Sequence, residues 1–135
     1  MTLAEPRETA VNTAISQTVF IVDEDDAVRD SLQALLESYG LTVAAYGSGP
    51  DYLAAQGGSR RGCLLLDLRL SLMRGLDLLE SLVRNGNTLP VIILTATVDP
   101  GVRARAHELG ALAVLEKPLE PDLLLATIGT ALADD

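Results

Sequence analysis

The stretch Cys63-Leu64-Leu65-Leu66-Asp67 is the most informative part of the sequence, because four apolar residues in a row end on a carboxylate. The run lacks the polar alternation of a half-exposed strand, so it predicts a strand over 62–67 that is buried on both faces. A carboxylate at the end of a core strand costs free energy unless something there requires its charge. Asp67 is therefore the first candidate for a functional residue.

Three other apolar runs of the chain also end on polar side chains. The apolar runs, each with the residues that follow it, are Val19-Phe20-Ile21-Val22 before Asp23-Glu24-Asp25-Asp26, Val91-Ile92-Ile93-Leu94 before Thr95, and Ala113-Val114-Leu115 before Glu116-Lys117-Pro118. In a parallel sheet all strand carboxyl ends lie along one edge, which is where such sheets bind ligands. Acid, hydroxyl and ammonium groups would converge there, and this convergence predicts a functional site.

Helical patterns alternate with the strands in five strand-then-helix units. The strands are expected at about 18–22, 41–46, 62–67, 90–94 and 112–116. The alternation predicts an α/β fold, a (βα)5 doubly wound parallel sheet with helices on both faces. The expected strand order is the flavodoxin-like 2-1-3-4-5, whose switch point lies beside strands one and three.

Capping residues and apolar spacing mark the ends and the buried faces of the helices. Asp25 or Asp26 caps the first helix, Ser48 the second, and Asp99 the fourth. The expected apolar faces are Val28, Leu32, Leu35, Leu36 and Tyr39 on the first helix, and Leu76, Leu79, Leu82 and Val83 on the third.

Composition bounds the class of protein. The 135 residues suit one domain, and the chain is 48% hydrophobic but only 3% aromatic, so its core must be aliphatic. The net charge of −9 argues against direct binding of nucleic acid or anionic membrane. No apolar stretch is long enough to span a bilayer, and Cys63 has no second cysteine to pair with, so a cytoplasmic protein is expected. Residues 1–16 are expected to be a tail and 17–135 the domain.

Four strings along the chain resemble the receiver domain of bacterial two-component response regulators, of the FixJ type. They are 19–29 with its acidic run, 63–70 around Asp67, 90–96 and 110–118. The match covers about residues 18–133, with the motifs in the right order on the right elements. The resemblance implies a receiver fold and a phosphoacceptor signalling domain, not an enzyme acting on a separate substrate.

The resemblance implies that Asp67 accepts a phosphoryl group from a sensor histidine kinase with the help of Mg²⁺. Asp23, Glu24, Asp67 and the backbone carbonyl of Arg69 would hold the ion. Oxygen ligands of this kind are those that Mg²⁺ prefers. Without the ion three carboxylates would crowd together, so either at least one of them is expected to have a raised pKa or the site is expected to be strained.

The resemblance also assigns a phosphate-binding role to the ends of the fourth and fifth strands. The Thr95 hydroxyl and the Ala96 backbone amide would bind phosphoryl oxygens, and Lys117 would pair with the phosphoaspartate. In this family the Lys117–Pro118 peptide would be cis. Phosphoryl transfer depends on positioning and charge neutralisation, and these residue types can supply both.

Four residues depart from the usual receiver pattern. Glu24 stands where the acid is usually Asp, so an extra methylene must be accommodated. Ser71 replaces the usual proline and should loosen the loop after Asp67, while Arg74 occupies a position that is commonly small. Val114 replaces an aromatic residue that swings inward in many receivers, so a signal would have to travel by helix or loop shifts.

Two rival functions are open at this stage. The residues at 24, 71 and 114 are compatible with a degenerate receiver that acts as a phosphorylation-independent interaction module. A flavin- or nucleotide-binding protein or an aspartate-dependent phosphatase could share the fold. Against these last classes, the chain has no glycine-rich loop after the first strand and no second acid two residues beyond Asp67.

The expected fourth helix carries the basic residues Arg103, Arg105 and His107. Two interpretations of this helix are open. It is either a solvated face or, together with the fifth strand, a partner or homodimer surface of the kind that many receivers use. His107 is the only histidine and is expected at the surface, so a histidine-ligated metal centre is not supported.

Overall fold

A computed structural model describes residues 17–55, 60–70 and 74–134 of the chain. In this part, five strands alternate with five helices. The strands are β1 (Thr18–Val22), β2 (Thr42–Tyr46), β3 (Gly62–Asp67), β4 (Val91–Thr95) and β5 (Ala113–Glu116). The helices are α1 (Asp26–Ser38), α2 (Gly49–Ala55), α3 (Gly75–Arg84), α4 (Pro100–Glu108) and α5 (Pro121–Asp134). The expected tail of residues 1–16 and the loop residue Ser71 lie outside the described residues.

The five strands form one parallel sheet in the order β2-β1-β3-β4-β5, which confirms the predicted order 2-1-3-4-5. The register aligns the strand ends. Val22 at the end of β1 pairs with Leu66 of β3, and Asp67 pairs with Leu94 of β4. Residues that follow these strands therefore meet at one edge of the sheet.

The core lies on both faces of the sheet, as the apolar run of β3 predicted. All six residues of β3 are buried, and their side chains alternate between two clusters. Leu64 and Leu66 pack with α3, whereas Cys63 and Leu65 belong to the cluster that includes α1 and α5. Cys63 is thus a thiol packed in the core.

Side-chain caps begin the helices where the sequence placed them. Of the two candidate acids, Asp25 caps α1, since its carboxylate accepts from Val28 N–H at 3.1 Å. Asp99 caps α4 by accepting from Val102 N–H at 2.8 Å. The cap at Asp25 matters for the site, because it fixes the turn that directly follows Asp23 and Glu24.

Two expected core residues prove to be exposed, and three strands begin one residue later than expected. Tyr39 is 60% exposed because α1 ends at Ser38, and Val83 is 46% exposed. The buried residues of α3 are Gly75, Leu78, Leu79 and Leu82, whose i, i+3, i+4, i+7 spacing leaves Val83 at the margin of that face. β2, β4 and β5 begin at Thr42, Val91 and Ala113.

Within the described ranges, no helix combines the length and the apolar character that crossing a bilayer requires.

Candidate functional site

Three polar side chains are buried in the described part of the chain, and all three lie at the carboxyl edge of the sheet. Their exposed fractions are 0% for Asp23, 5% for Asp67 and 4% for Thr95. Each follows or ends a strand of the sheet, so the register described above brings them to the same edge. All three were candidates from the sequence, and their burial shows that this edge is where the fold places its costly polar groups.

Lys117 links the two buried carboxylates. Its Nζ lies 3.3 Å from Asp23 Oδ2 and 3.5 Å from Asp67 Oδ2. Its backbone N–H donates to the carbonyl of Thr95 at 2.8 Å, which ties the end of β5 to the end of β4. Lys117 is the only lysine of the chain. One ammonium therefore faces two carboxylates, and the cluster retains an excess of negative charge.

The second oxygen of each carboxylate accepts a backbone N–H two residues further along the chain. Asp25 N–H donates to Asp23 Oδ1 at 3.0 Å, and Arg69 N–H donates to Asp67 Oδ1 at 3.1 Å. These contacts turn the chain sharply after each strand and hold the carboxylates in fixed orientations. Both Oδ2 atoms are directed to Lys117.

The pKa of Asp67 is raised above its ordinary value of 3.8, mainly because the carboxyl group is buried. The hydrogen bond from Arg69 N–H opposes this rise, the negative charge of Asp23 adds to it, and Lys117 opposes it again. The prediction that one of the clustered acids has a raised pKa is confirmed. Burial, rather than crowding by other carboxylates, is the largest cause.

Thr95 lies beside the acidic cluster with its hydroxyl engaged in the loop after β4. The hydroxyl donates to the carbonyl of Thr97 at 3.0 Å and accepts from Thr97 N–H at 3.3 Å. A cleft of about 410 Å³ opens next to it, and its lining includes the three arginines Arg69, Arg74 and Arg105. Ala96 is exposed, so its backbone lies at the surface beside this cleft.

The remaining predicted site residues lie at the rim. Glu24 and Arg69 are both exposed, and the backbone N–H of Arg69 contacts Asp67 as described above. The Lys117–Pro118 peptide is cis, as the resemblance implied. Of the departures from the receiver pattern, Arg74 is exposed and Val114 is partly buried against the core.

The donor chemistry of this cluster fits a divalent cation. In the ranges that the structure describes, no three His, Cys, Asp or Glu side chains are already arranged around a common metal position. However, two buried carboxylates share one ammonium, and exposed Glu24 follows Asp23 directly. Mg²⁺ takes oxygen ligands and commonly one or two carboxylates, so these residues suit it. The ligand set itself stays a prediction.

Sequence reasoning gave no role to Arg29, although the structure places it against the site. Its Nη1 donates to the backbone carbonyl of Asp23 at 2.7 Å. The signal that could have identified it is its position. An arginine in the first turn of a helix opposes the positive end of the helix dipole, and a specific acceptor would compensate.

A family model described as the response regulator receiver domain matches residues 19–129. The chain is 40% identical over 124 residues to the transcriptional regulatory protein TdiR of Thauera aromatica, covering 92% of this chain and 55% of that protein. It is 38% identical over 117 residues to the transcriptional regulatory protein FixJ of Azorhizobium caulinodans, covering 87% and 56%. The chain thus spans about half the length of these curated relatives.

A solved structure described as FixJ-N has a similar fold. It superposes with a TM-score of 0.81 at 33% sequence identity, covering 87% of this chain and 94% of that one. The fold described above therefore matches that of this solved structure.

Proposed function

We propose that Asp67 is the phosphoacceptor of this chain, which belongs to the response regulator receiver domain family of two-component systems. Receiver domains interact with sensor histidine kinases and act as phosphoacceptor modules. The observation that carries the assignment to Asp67 is its place in the site. It is a nearly buried carboxylate at the end of the central strand, held by Arg69 N–H and facing Lys117.

In the proposed reaction an oxygen of the Asp67 carboxylate forms a bond to the phosphorus of the donor. The bond from phosphorus to the donor's leaving group breaks, and the leaving group departs with the bonding electrons. Catalysis of such a transfer consists largely of positioning and charge neutralisation. The hydrogen bond from Arg69 N–H orients the nucleophile. The cleft is lined by three arginines and two acids, Asp77 and Glu80, and the one excess positive charge favours the approach of an anionic donor.

The proposed metal site consists of Asp23, Glu24, Asp67 and the backbone carbonyl of Arg69. When bound there, Mg²⁺ would offset the negative charge of the carboxylates and of the phosphoryl oxygens. Support comes from the excess negative charge of the buried cluster. Glu24 has a longer side chain than aspartate and is exposed, so it can approach the ion from the rim.

Thr95, Ala96 and Lys117 are the proposed phosphate-binding residues. Lys117 Nζ is already within 3.5 Å of the carboxylate that would be modified. For the Thr95 hydroxyl to bind a phosphoryl oxygen, it must exchange its contact with Thr97 for the new acceptor. Such an exchange would move the loop after β4 when Asp67 is phosphorylated.

The test is intact-mass spectrometry of the chain after incubation with acetyl phosphate. We expect one added phosphoryl group in the presence of Mg²⁺ and none when a chelator removes the ion, because the clustered carboxylates would then repel the donor. Beryllofluoride with Mg²⁺ should bind to the same site. If neither the adduct nor beryllofluoride binding is observed, the chain is a degenerate receiver that acts as an interaction module.

The α4–β5 surface is the proposed output surface of the domain. A cavity of about 460 Å³ lies between these elements, and its lining includes Arg103, His107, Leu112 and Val114. Since valine has no ring to rotate inward, a movement of the loop after β4 would have to shift α4 itself. A few kcal/mol of differential binding would be enough to change the population of two such arrangements.

We expect beryllofluoride with Mg²⁺ to increase self-association through this surface, as measured by sedimentation velocity. Arg103→Glu should reduce the change, because it reverses a charge that lines this cavity. The matched control is Arg84→Glu on α3, where the same charge reversal should have little effect. If beryllofluoride shifts only the NMR signals of the acidic cluster and the sedimentation of the chain does not change, the proposed transmission of the signal to α4 is wrong.

The output of the whole protein is a further proposal. TdiR and FixJ are named as transcriptional regulatory proteins, and this chain spans about half of their length. We propose that the domain of residues 17–135 controls such an output from the cytoplasm. The net charge of −9 makes direct binding of nucleic acid by this domain unfavourable, so control would pass through its protein contacts.

A further inference from the structure

We propose that Arg29 is a positioning residue of the phosphorylation site, whose guanidinium holds the Asp23–Glu24 peptide in place and thereby sets the affinity for Mg²⁺. This inference rests on the proposed function and adds to it a residue outside the acidic cluster. Arg29 touches neither the phosphoacceptor nor the proposed metal ligands through their side chains, so its action would be indirect.

The guanidinium of Arg29 connects two points of the loop between β1 and α1. Nη1 donates to the carbonyl of Asp23 at 2.7 Å, and Nη2 lies 2.5 Å from Asp26 Oδ1. The Arg29 side chain is only 18% exposed, whereas that of Asp26 is 85% exposed. The largely buried side chain therefore directs its guanidinium at the backbone of Asp23, with Asp26 as a second contact on the solvent side.

The contact with Arg29 completes the set of hydrogen bonds around Asp23. The N–H of Asp23 donates to Tyr46 at 3.1 Å, and its two carboxylate oxygens contact Asp25 N–H and Lys117, as described above. The carbonyl belongs to the planar peptide that leads into Glu24. Holding that carbonyl limits the rotation of the peptide and hence the directions in which Glu24 can point.

Gly47 provides the space in which the guanidinium lies. A Cβ added to Gly47 would lie 3.3 Å from Nη1 and 3.6 Å from Cζ of Arg29. A contact of 3.3 Å is tight, so an alanine there would have to displace the guanidinium by a few tenths of an ångström. Gly47 therefore offers a second, milder way to disturb the same contact without changing any charge.

The geometry favours arginine over lysine. Two acceptors are bound through different nitrogens of one planar group, whose donors are held apart in a fixed fork that a lysine ammonium lacks. The position also opposes the helix dipole, because Arg29 lies in the first turn of α1. The hydrogen bond to the Asp23 carbonyl offsets the unfavourable interaction of the arginine with the helix dipole.

The test is a titration of the full chain with Mg²⁺ alone, without phosphodonor, followed by calorimetry and by NMR shifts of the β1–α1 loop. We expect Arg29→Lys, which keeps the positive charge, to weaken Mg²⁺ binding by about 10-fold, the low end of the range for loss of a residue that orients metal ligands. Gly47→Ala should weaken binding in the same direction but less.

Two controls match these substitutions. Arg84→Lys changes an exposed arginine of α3 that pairs with Glu80 at 3.7 Å, far along the chain from the loop. Gly129→Ala adds a Cβ on α5 at a position with no heavy atom within 4 Å. Neither should change the Mg²⁺ affinity, although Gly129→Ala should raise the melting temperature through helix propensity.

The outcomes separate this inference from the proposed function. If the unmodified chain binds no Mg²⁺ and takes up no phosphoryl group, the proposed function is wrong. If the unmodified chain binds Mg²⁺ and the Arg29 and Gly47 variants bind it equally well at temperatures where they are folded, Arg29 is only structural and the positioning role is wrong. A lower melting temperature with unchanged affinity would likewise show that the role of Arg29 is structural.

Discussion

Asp67→Asn is expected to abolish phosphoryl uptake from acetyl phosphate. No adduct should be detectable under conditions that fully phosphorylate the chain without the substitution. The asparagine side chain has nearly the same shape, and its oxygen can still accept from Arg69 N–H, so the fold should persist. Its neutral amide lacks the carboxylate nucleophile that the transfer requires. Intact-mass spectrometry in the presence of Mg²⁺ measures the result.

Asp51→Asn is the matched control, because Asp51 is an exposed carboxylate in the first turn of α2. This variant should be phosphorylated like the unmodified chain. An adduct that persists in Asp67→Asn, located by peptide mapping on another acid, would show that the phosphoacceptor has been assigned to the wrong residue.

Asp67→Asn should also raise the free energy of unfolding at neutral pH when Mg²⁺ is absent. Burial raises the pKa of Asp67 above its ordinary value of 3.8, so the folded chain holds this proton more tightly than the unfolded chain does. The unmodified chain therefore loses stability as pH rises from about the ordinary value through the folded-state pKa. Each unit of the rise is worth about 1.4 kcal/mol.

Asp67→Asn lacks this loss, so its advantage should be fully present above the folded-state pKa and should vanish below the ordinary value. Thermal and urea unfolding across this range, in chelator, measure the difference. A variant that is less stable than the unmodified chain at neutral pH would contradict the assignment of burial as the dominant effect on Asp67.

Lys117→Met is expected to destabilise the fold by about 3 kcal/mol at neutral pH in the absence of Mg²⁺. The substitution leaves the buried carboxylates of Asp23 and Asp67 without the only ammonium that they contact. We place the effect at the low end for buried ion pairs, because the Lys117 side chain is 24% exposed and water can partly replace it. Urea unfolding measures the loss.

A double variant tests the cause of this loss. Adding Asp67→Asn to Lys117→Met removes one of the two unpaired carboxylates, so the pair of substitutions should cost less than Lys117→Met alone. Arg84→Met, which removes an exposed cation of α3, should change stability by less than about 1 kcal/mol. Equal losses for the single and double variants would show that the stem of Lys117, and not its charge, supports the fold.

The local pattern of the sequence was sufficient for the elements and for the edge at which the site lies. Helix and strand periods, the caps at Asp25 and Asp99, and the apolar run of β3 are properties of residues close together in the chain. Polar residues at the ends of apolar runs then placed Asp23, Asp67, Thr95 and Lys117 on one edge, because parallel strands share the direction of their carboxyl ends. All four were identified without coordinates.

Burial along the margins of helices was less predictable. The sequence favoured Tyr39 and Val83 as core residues because both are apolar and have helical spacing from other apolar residues. Both lie at the carboxyl-terminal ends of their helices and are exposed. The residue at which a helix ends and the face that it buries depend on how the helix packs on the sheet. The residues of the helix alone do not specify that packing.

The pattern of the sequence was enough to predict the sheet, its strand order and the residue types that meet at its carboxyl edge. How those residues share their charges depends on the packing of the folded chain. Lys117 and Asp23 are separated by 94 positions, yet one ammonium contacts both Asp23 and Asp67. The raised pKa of Asp67, chiefly from burial, and the contact of Arg29 with the Asp23 carbonyl also depend on distances between elements. Periodicity reports which face of an element is buried, whereas hydrogen bonds and pKa shifts depend on separations of a few ångströms, which packing alone fixes.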